Sequence, residues 1–367
     1  MLKSLVRPAV AAAALCLSNG LLAEDAAVVN LYNWNDYFAE DTLQSFEDST
    51  GIKPVLDLYD SNEVLEAKLL AGHSGYDVVF PTARPFAARQ AKAGIYRELD
   101  RNLLPNWKNL DATLLASLDD IDPGNRYLVP YMWGTTGLGV NAAKVRAALG
   151  EDAVLDSWSL VFDPAKASKL AACGISLLDD PTEVLGAALN YLGRDPKSTD
   201  KADLEAIREM IEKVRPYIRN FHSSQYISGL ANGDLCVAHG WSGDILQARD
   251  RAAEADNGIE VTYVIPREGA VQWMDLMAIP ADAPHVANAH AFINFILDPK
   301  AAAAISNYTN YANGNTAATE LLDEGVRTDP GIYPSDEVKA KLFALATHDD
   351  KGLRKLNRVW TRIKANR

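Results

Sequence analysis

The chain has 367 residues, 48% of them hydrophobic, and a formal net charge of −13 at neutral pH. That acidic balance argues against nucleic acid as a partner, because a phosphate-binding surface needs clustered Lys and Arg. The length suggests two domains.

Lys3 and Arg7 are the only charges before Glu24, and an apolar run, PAVAAAALCLSNGLLA, ends at Ala23. This run is too short for a spanning helix and reads as a secretory signal over residues 1–23, cleaved after Ala23. Leu15 before Cys16 argues against a lipoprotein signal. Loss of Lys3 and Arg7 takes the net charge from −13 to −15. No later segment reaches the roughly 18 apolar residues of a membrane span. Export leaves Cys173 and Cys236, and an oxidising compartment favours a disulfide between them. Two cysteines without clustered histidines do not make a zinc site, and no metal or cofactor is expected.

Strand and helix signals alternate from the start of the mature chain. VVNLYNW predicts a buried strand, and AEDTLQSFEDSTG a helix with Leu43 and Phe46 on one face, stopped by Gly51. IKPVLDLY predicts a strand. SNEVLEAKLLAG predicts a helix with Leu65 and Leu69 four apart, ended by Gly72. YDVVFP predicts a strand bounded by Pro81. This βαβαβ order belongs to a mostly parallel sheet. A second series follows YLVPYMWGTTGLGVN: GISLL (strand), TEVLGAALNYLG (helix), a long helix from about Ala202 to Phe221, and DLCVAHGWSGD (strand, then turn). IEVTYVIP and WMDLMAIP predict two more strands, and the last third is mainly helical. No polar linker separates the halves. The apolar, Gly-rich VPYMWGTTGLGVN and the stretch Gly258 to Ile265 are the candidate crossings between two lobes with a cleft between them.

Ligands of open parallel sheets bind beyond the carboxyl ends of strands. The first strand delivers Trp34, Asn35, Asp36 and Tyr37 to such an end, and the third delivers Thr82. CVAHGWSGD delivers Trp241, Ser242 and Asp244; VQWMDLMAIP places Trp273 and Asp275 in an apolar strand; NYTNYANGNTA adds Tyr308 and Tyr311 at helical spacing. Each residue has a plainer role open to it: Asp36 and Asp244 as helix caps, the tryptophans as core. Asp275 is harder to place so, because an unpaired buried carboxylate costs several kcal/mol. The recurrence of ring plus carboxylate at three strand ends suits an organic ammonium. Carboxylates accept its charged N–H bonds, and ring faces attract the cation and line its methylenes.

The segments YNWNDYF, DSNEVLEAKLLAGHSGYDVVFP, LPNWKNLD, VPYMWGTTGLGVN, ALNYLG, ANGDLCVAHGWSGD, DLMAIPADA and NYANGNTAA resemble the periplasmic polyamine-binding proteins of bacterial ABC importers. The likeness runs from about Val28 to RVWTRIK. It implies an α/β, type II periplasmic binding protein fold, with residues 27–134 plus 258–302 in the first lobe and 135–257 plus 303–367 in the second. Trp34 and Tyr37 match a ring wall, and Asp36 a carboxylate facing an amine, with Asn35 where Ser or Thr is commoner. Thr82 matches a small hydroxyl residue, Trp241 a second ring wall, and Asp244 and Asp275 the amine-holding carboxylates. Ser223 and Tyr311 match polar and aromatic lining, and Trp273 a Phe or Trp position. Thr182 stands where putrescine-binding relatives often carry an acid, and Glu183 beside it is expected to point elsewhere on its helix. That loss, with the bulky Trp273, favours a longer polyamine such as spermidine over putrescine.

The resemblance further implies a non-enzymatic, monomeric, periplasmic receptor for spermidine or putrescine, with permease subunits of an ABC importer at the inner membrane as partners. Other readings of the same residues are a receptor for another cationic amine, an oligosaccharide-binding protein, a hydrolase using Asp36 and Asp244, and a ferric-ion receptor using Tyr308 and Tyr311. Sugar hydroxyls call for mixed donors and acceptors, whereas this set is rich in acceptors. GWSGD is not a nucleophile elbow of the G-x-S-x-G type. Indoles have no role in an iron shell.

Overall fold

The computed structural model describes residues 27–365, so the expected signal segment and its cleavage site lie outside the described residues. β1 (Val28–Trp34), β2 (Lys53–Tyr59) and β3 (Val78–Val79) form a parallel group with β1 in the centre. The two connections are helices, Thr42–Thr50 and Asn62–Leu70. The first ends at Gly51, whose φ of 72° is a left-handed cap that glycine adopts without a Cβ penalty.

β4 (Leu128–Val140) is 13 residues long and joins the two halves of the sheet. It pairs antiparallel with β9 (Val271–Ala278) on one side and with β7 (Val237–Trp241) on the other. β8 (Thr262–Val264) and β10 (Ala312–Asn313) also add to β4. Beyond β7 lie β5 (Ile175–Leu177) and β6 (Ile218–Phe221), both parallel to their neighbours. The sheet order is β2-β1-β3-β9-β4-β7-β5-β6.

β6 corrects the expected long helix. The helix covers only Lys201–Val214, and Arg215–Tyr217 makes a single tight turn around Pro216. A proline lacks the N–H and crowds the preceding turn, so the chain leaves the helix there and becomes a strand. A second correction follows β7: there is no turn, and the helix Ser242–Glu254 starts at once.

Buried apolar side chains gather in three clusters. The largest holds Leu138, Val140, Trp158, Phe162, Ile207, Ile245 and Trp360. The other two cover opposite faces of the β2-β1-β3-β9 part of the sheet. Leu31 and Met277 point to one with Phe46 and Phe292, and Tyr32 and Leu276 to the other with Leu65 and Leu128. This alternation is the two-residue period of a sheet covered on both faces. β4 starts in the two smaller clusters and ends in the largest, so its two ends belong to different cores. Ile259, Val261, Tyr263, Val264 and Ile265 pack in the largest cluster, with the segments expected of the second lobe. Ile305, Tyr311 and Leu345 pack in one of the smaller ones. A disulfide joins Cys173 to Cys236, with Cα atoms 5.4 Å apart, as their number and compartment led us to expect.

Candidate functional site

A solvent-open cavity of about 680 Å³ lies where strand ends from both halves of the sheet meet. It is lined by Trp34, Asn35, Tyr37, Thr82, Thr182, Ser223, Trp241, Asp244, Trp273, Asp275 and Tyr311. Residues from 34 to 311 in sequence thus converge on one space, and a single expected site residue, Asp36, is missing from its wall.

Asp275 is deeply buried in β9. Its two oxygens accept from Tyr37 Oη at 2.9 Å and Thr82 Oγ1 at 2.6 Å. Thr82 is held in turn by Asn62 Nδ2 at 2.9 Å. Asp244 sits in the first turn of its helix and accepts from Tyr226 Oη at 2.7 Å and Tyr311 Oη at 2.6 Å. These donors are neutral hydroxyls. They solvate each carboxylate without cancelling its charge, and burial raises Asp275 to about 7 and Asp244 to about 6. The nearby cations are committed elsewhere: Arg251 to Asp36, Lys364 to Asp179, and Arg84 to Asp120.

The rings form a frame around these acids. Trp34 and Trp241 approach edge to face at 5.7 Å, from opposite halves of the sheet. Trp34 is oriented by its Nε1, which donates to the Phe80 carbonyl at 2.9 Å, and packs on Tyr59 at 4.7 Å. Trp273 and Tyr37 both meet the Tyr311 ring, at 5.3 and 5.2 Å. Trp273 Nε1 is buried without a protein partner. The helix preceding Tyr311 ends at Thr309, where Asn310 turns left-handed. The expected helical pairing of Tyr308 with Tyr311 is therefore broken: Tyr308 faces solvent and Tyr311 faces the cavity.

Asp180 and Glu183 also line the cavity and were not anticipated. Asp180 caps the Pro181–Tyr191 helix, accepting from the backbone N–H groups of Thr182 and Glu183 and from Thr182 Oγ1 at 2.7 Å. Glu183, expected to point away, is buried with Oε1 3.5 Å from Trp241 Nε1 and Oε2 without a partner. Burial, with Asp180 beside it, raises Glu183 to about 8. The sequence signal was DDPTE: Asp before Pro is a helix start, which puts positions 180 to 183 in one tight first turn at a strand end. Ser223 closes this side, its hydroxyl accepting from the Asp179 N–H at 3.3 Å.

Asp36 stands off the cavity wall. It lies in the turn after β1 with φ of 53°, half-exposed, and its Oδ1 is 3.0 Å from Arg251 Nη2. It does not cap the following helix, whose N-cap is Asp41.

A model of the bacterial extracellular solute-binding protein family matches residues 41–334. The chain is 53% identical over 345 residues, 94% of each chain, to the putrescine-binding periplasmic protein SpuD of Pseudomonas aeruginosa. It is 50% identical to the putrescine-binding periplasmic protein PotF of Escherichia coli, covering 98% of this chain and 97% of that one. Among solved structures, the spermidine/putrescine ABC transporter substrate-binding protein PotD of Streptococcus pneumoniae superposes with a TM-score of 0.74 at 28% identity, over 92% of this chain and 99% of that one. These likenesses agree with the two-lobe α/β fold described above.

Proposed function

Because the chain belongs to the bacterial extracellular solute-binding protein family, we propose that it is a periplasmic receptor for putrescine, spermidine or both, which holds the ligand unaltered and delivers it to the permease of an ABC importer. The observation that carries this reading is the cavity itself, where four buried carboxylates lacking cationic partners are framed by indole and phenol rings. A carboxylate buried without a counter-charge is costly, and a flexible ligand with an ammonium at each end offsets that cost at more than one place. The rings line its methylenes and attract the cations through their faces.

Thr182 does not leave that wall without acids, since Asp180 and Glu183 line it, so a missing acid there does not favour spermidine. The cavity therefore has acids enough for two or three ammoniums. In this reading the N-terminal 23 residues direct export, the lobes close on the ligand, and the receptor works as a monomer. Binding both lobes at once gives the closed form its extra affinity. Calorimetric titration with putrescine and spermidine tests it. Saturable binding of one or both at micromolar concentration is expected, and absence of binding by either removes the proposal.

A further inference from the structure

Resting on the polyamine reading, we propose that Gly134 is a specificity-determining position: by lacking a side chain it makes the seat for the Trp273 indole, and so sets the room that the cavity leaves for the length of the amine.

Gly134, Gly137 and Gly139 lie along β4, in the Gly-rich stretch that the sequence marks as a crossing between lobes. None of the three has a positive φ, so no left-handed turn calls for glycine there. Close packing does. A Cβ at Gly137 would run into the Val264 carbonyl and the Tyr263 side chain, and one at Gly139 would stand 2.6 Å from Leu230 Cδ1 and 2.9 Å from Ile245 Cγ2. A Cβ at Gly134 would stand 2.8 Å from Trp273 Cζ2, 3.0 Å from Trp273 Cη2 and 2.7 Å from Ser242 Oγ. Glycine inside a strand often marks such a close approach.

Gly134 stands directly opposite Trp273 in the antiparallel pairing of β4 with β9, the position from which a cross-strand side chain reaches its partner. Trp34 is oriented by a hydrogen bond from its Nε1, but Trp273 Nε1 is buried without a protein partner, so packing holds this ring in place. Its neighbour Tyr311 has no slack to give. A Cβ at Gly243 would lie within 2.6 Å of three Tyr311 ring atoms, so that ring is itself pressed onto backbone. A methyl group at position 134 therefore lifts the outer edge of the indole, and the open space beside it is the cavity that Trp273 lines. The lifted ring shortens the cavity, and the longer amine loses more.

The test is equilibrium binding of putrescine and spermidine to the wild type, Gly134→Ala, Trp273→Phe, the double variant Gly134→Ala/Trp273→Phe, and Gly134→Ala/Ser242→Ala. Gly134→Ala is expected to weaken spermidine binding about tenfold or more and putrescine binding less, the scale of a methyl group forced into a filled site. A phenyl ring stops short of the Cζ2 and Cη2 positions. With Phe at 273, the same substitution is expected to change binding of either amine by less than about twofold. A general loss of stability would produce neither the shift in the spermidine-to-putrescine ratio nor the rescue. An unchanged ratio in Gly134→Ala overturns the proposal. So does an equal loss with Trp or Phe at 273, and so does rescue by Ser242→Ala in place of Trp273→Phe, which would put the clash at the hydroxyl. If Gly134→Ala does not fold, the double variant decides: binding like that of Trp273→Phe upholds the seat, and failure to fold overturns it. A wild type that binds neither amine sinks the polyamine reading itself, whereas a binding wild type with an unmoved ratio in Gly134→Ala sinks only the role of Gly134.

Discussion

A carboxylate that accepts only from hydroxyls is hydrogen-bonded but has no counter-charge. Asp275 and Asp244 are both in this position, and Glu183 has no cationic partner either. Burial raises them to about 7, 6 and 8 respectively. A cation binds the ionised forms, so polyamine affinity is expected to rise with pH from about 5 to 8, with protons released on binding. The same shifts act on the empty protein with the opposite sign. Their contribution to folding is full below the ordinary carboxylate range near pH 4 and is lost as pH rises through 6 to 8. Titrations in buffers of different ionisation enthalpy count the released protons. Asp275→Asn should weaken binding by about tenfold to a hundredfold, the scale of a lost charged hydrogen bond, and release fewer protons. At this scale the sequence was readable wherever a ring and an acid shared a strand end, as at Trp273 and Asp275. Glu183 was not, because helical spacing says nothing about which way a first turn faces until the strand before it is placed. The placing of Asp36 off the cavity wall was not legible for a related reason: one left-handed residue redirects a side chain, and no local motif announces it.

Elements with strong periodicity or clear stops were legible, as with the helix ended by Gly51. β6 was not, since Ile218–Phe221 is four residues long and gains its identity from pairing with β5, a partner far away in sequence. The disulfide acts at this level. Cys173 lies just before β5 and Cys236 just before β7, and these strands pair in parallel from Ile175 opposite Val237. The bridge therefore pins the start of a non-local pairing, across a sequence separation of 63. In the chain-entropy picture such a loop is worth about 4 kcal/mol. Replacing both cysteines by serine is expected to cost about 2–4 kcal/mol, read from denaturant unfolding. Addition of a thiol reductant to the wild type should lower its midpoint in the same direction.

For the whole molecule, charge sets how the ligand arrives and topology sets how it is held. With a net charge of −13, the protein should draw polyamines in, and salt should slow association several-fold while dissociation from the buried acids changes less. Stopped-flow at low and high ionic strength separates the two rates. The two-lobe architecture was foreshadowed by the missing polar linker and the apolar, Gly-rich VPYMWGTTGLGVN, which became β4. The exact passage of the chain between cores was not, because short segments such as Val261–Val264 are assigned by packing rather than by pattern. The pairing of β4 with β9 runs from Leu128 opposite Ala278 to Thr136 opposite Val271, and Trp273 and Asp275 stand within it. In the proposed reading, the ribbon that joins the halves therefore also carries two of the groups proposed to hold the amine. A designer who stiffens that ribbon to slow its opening will retune selectivity in the same stroke, and one who recolours the pocket will alter the protein's mechanics.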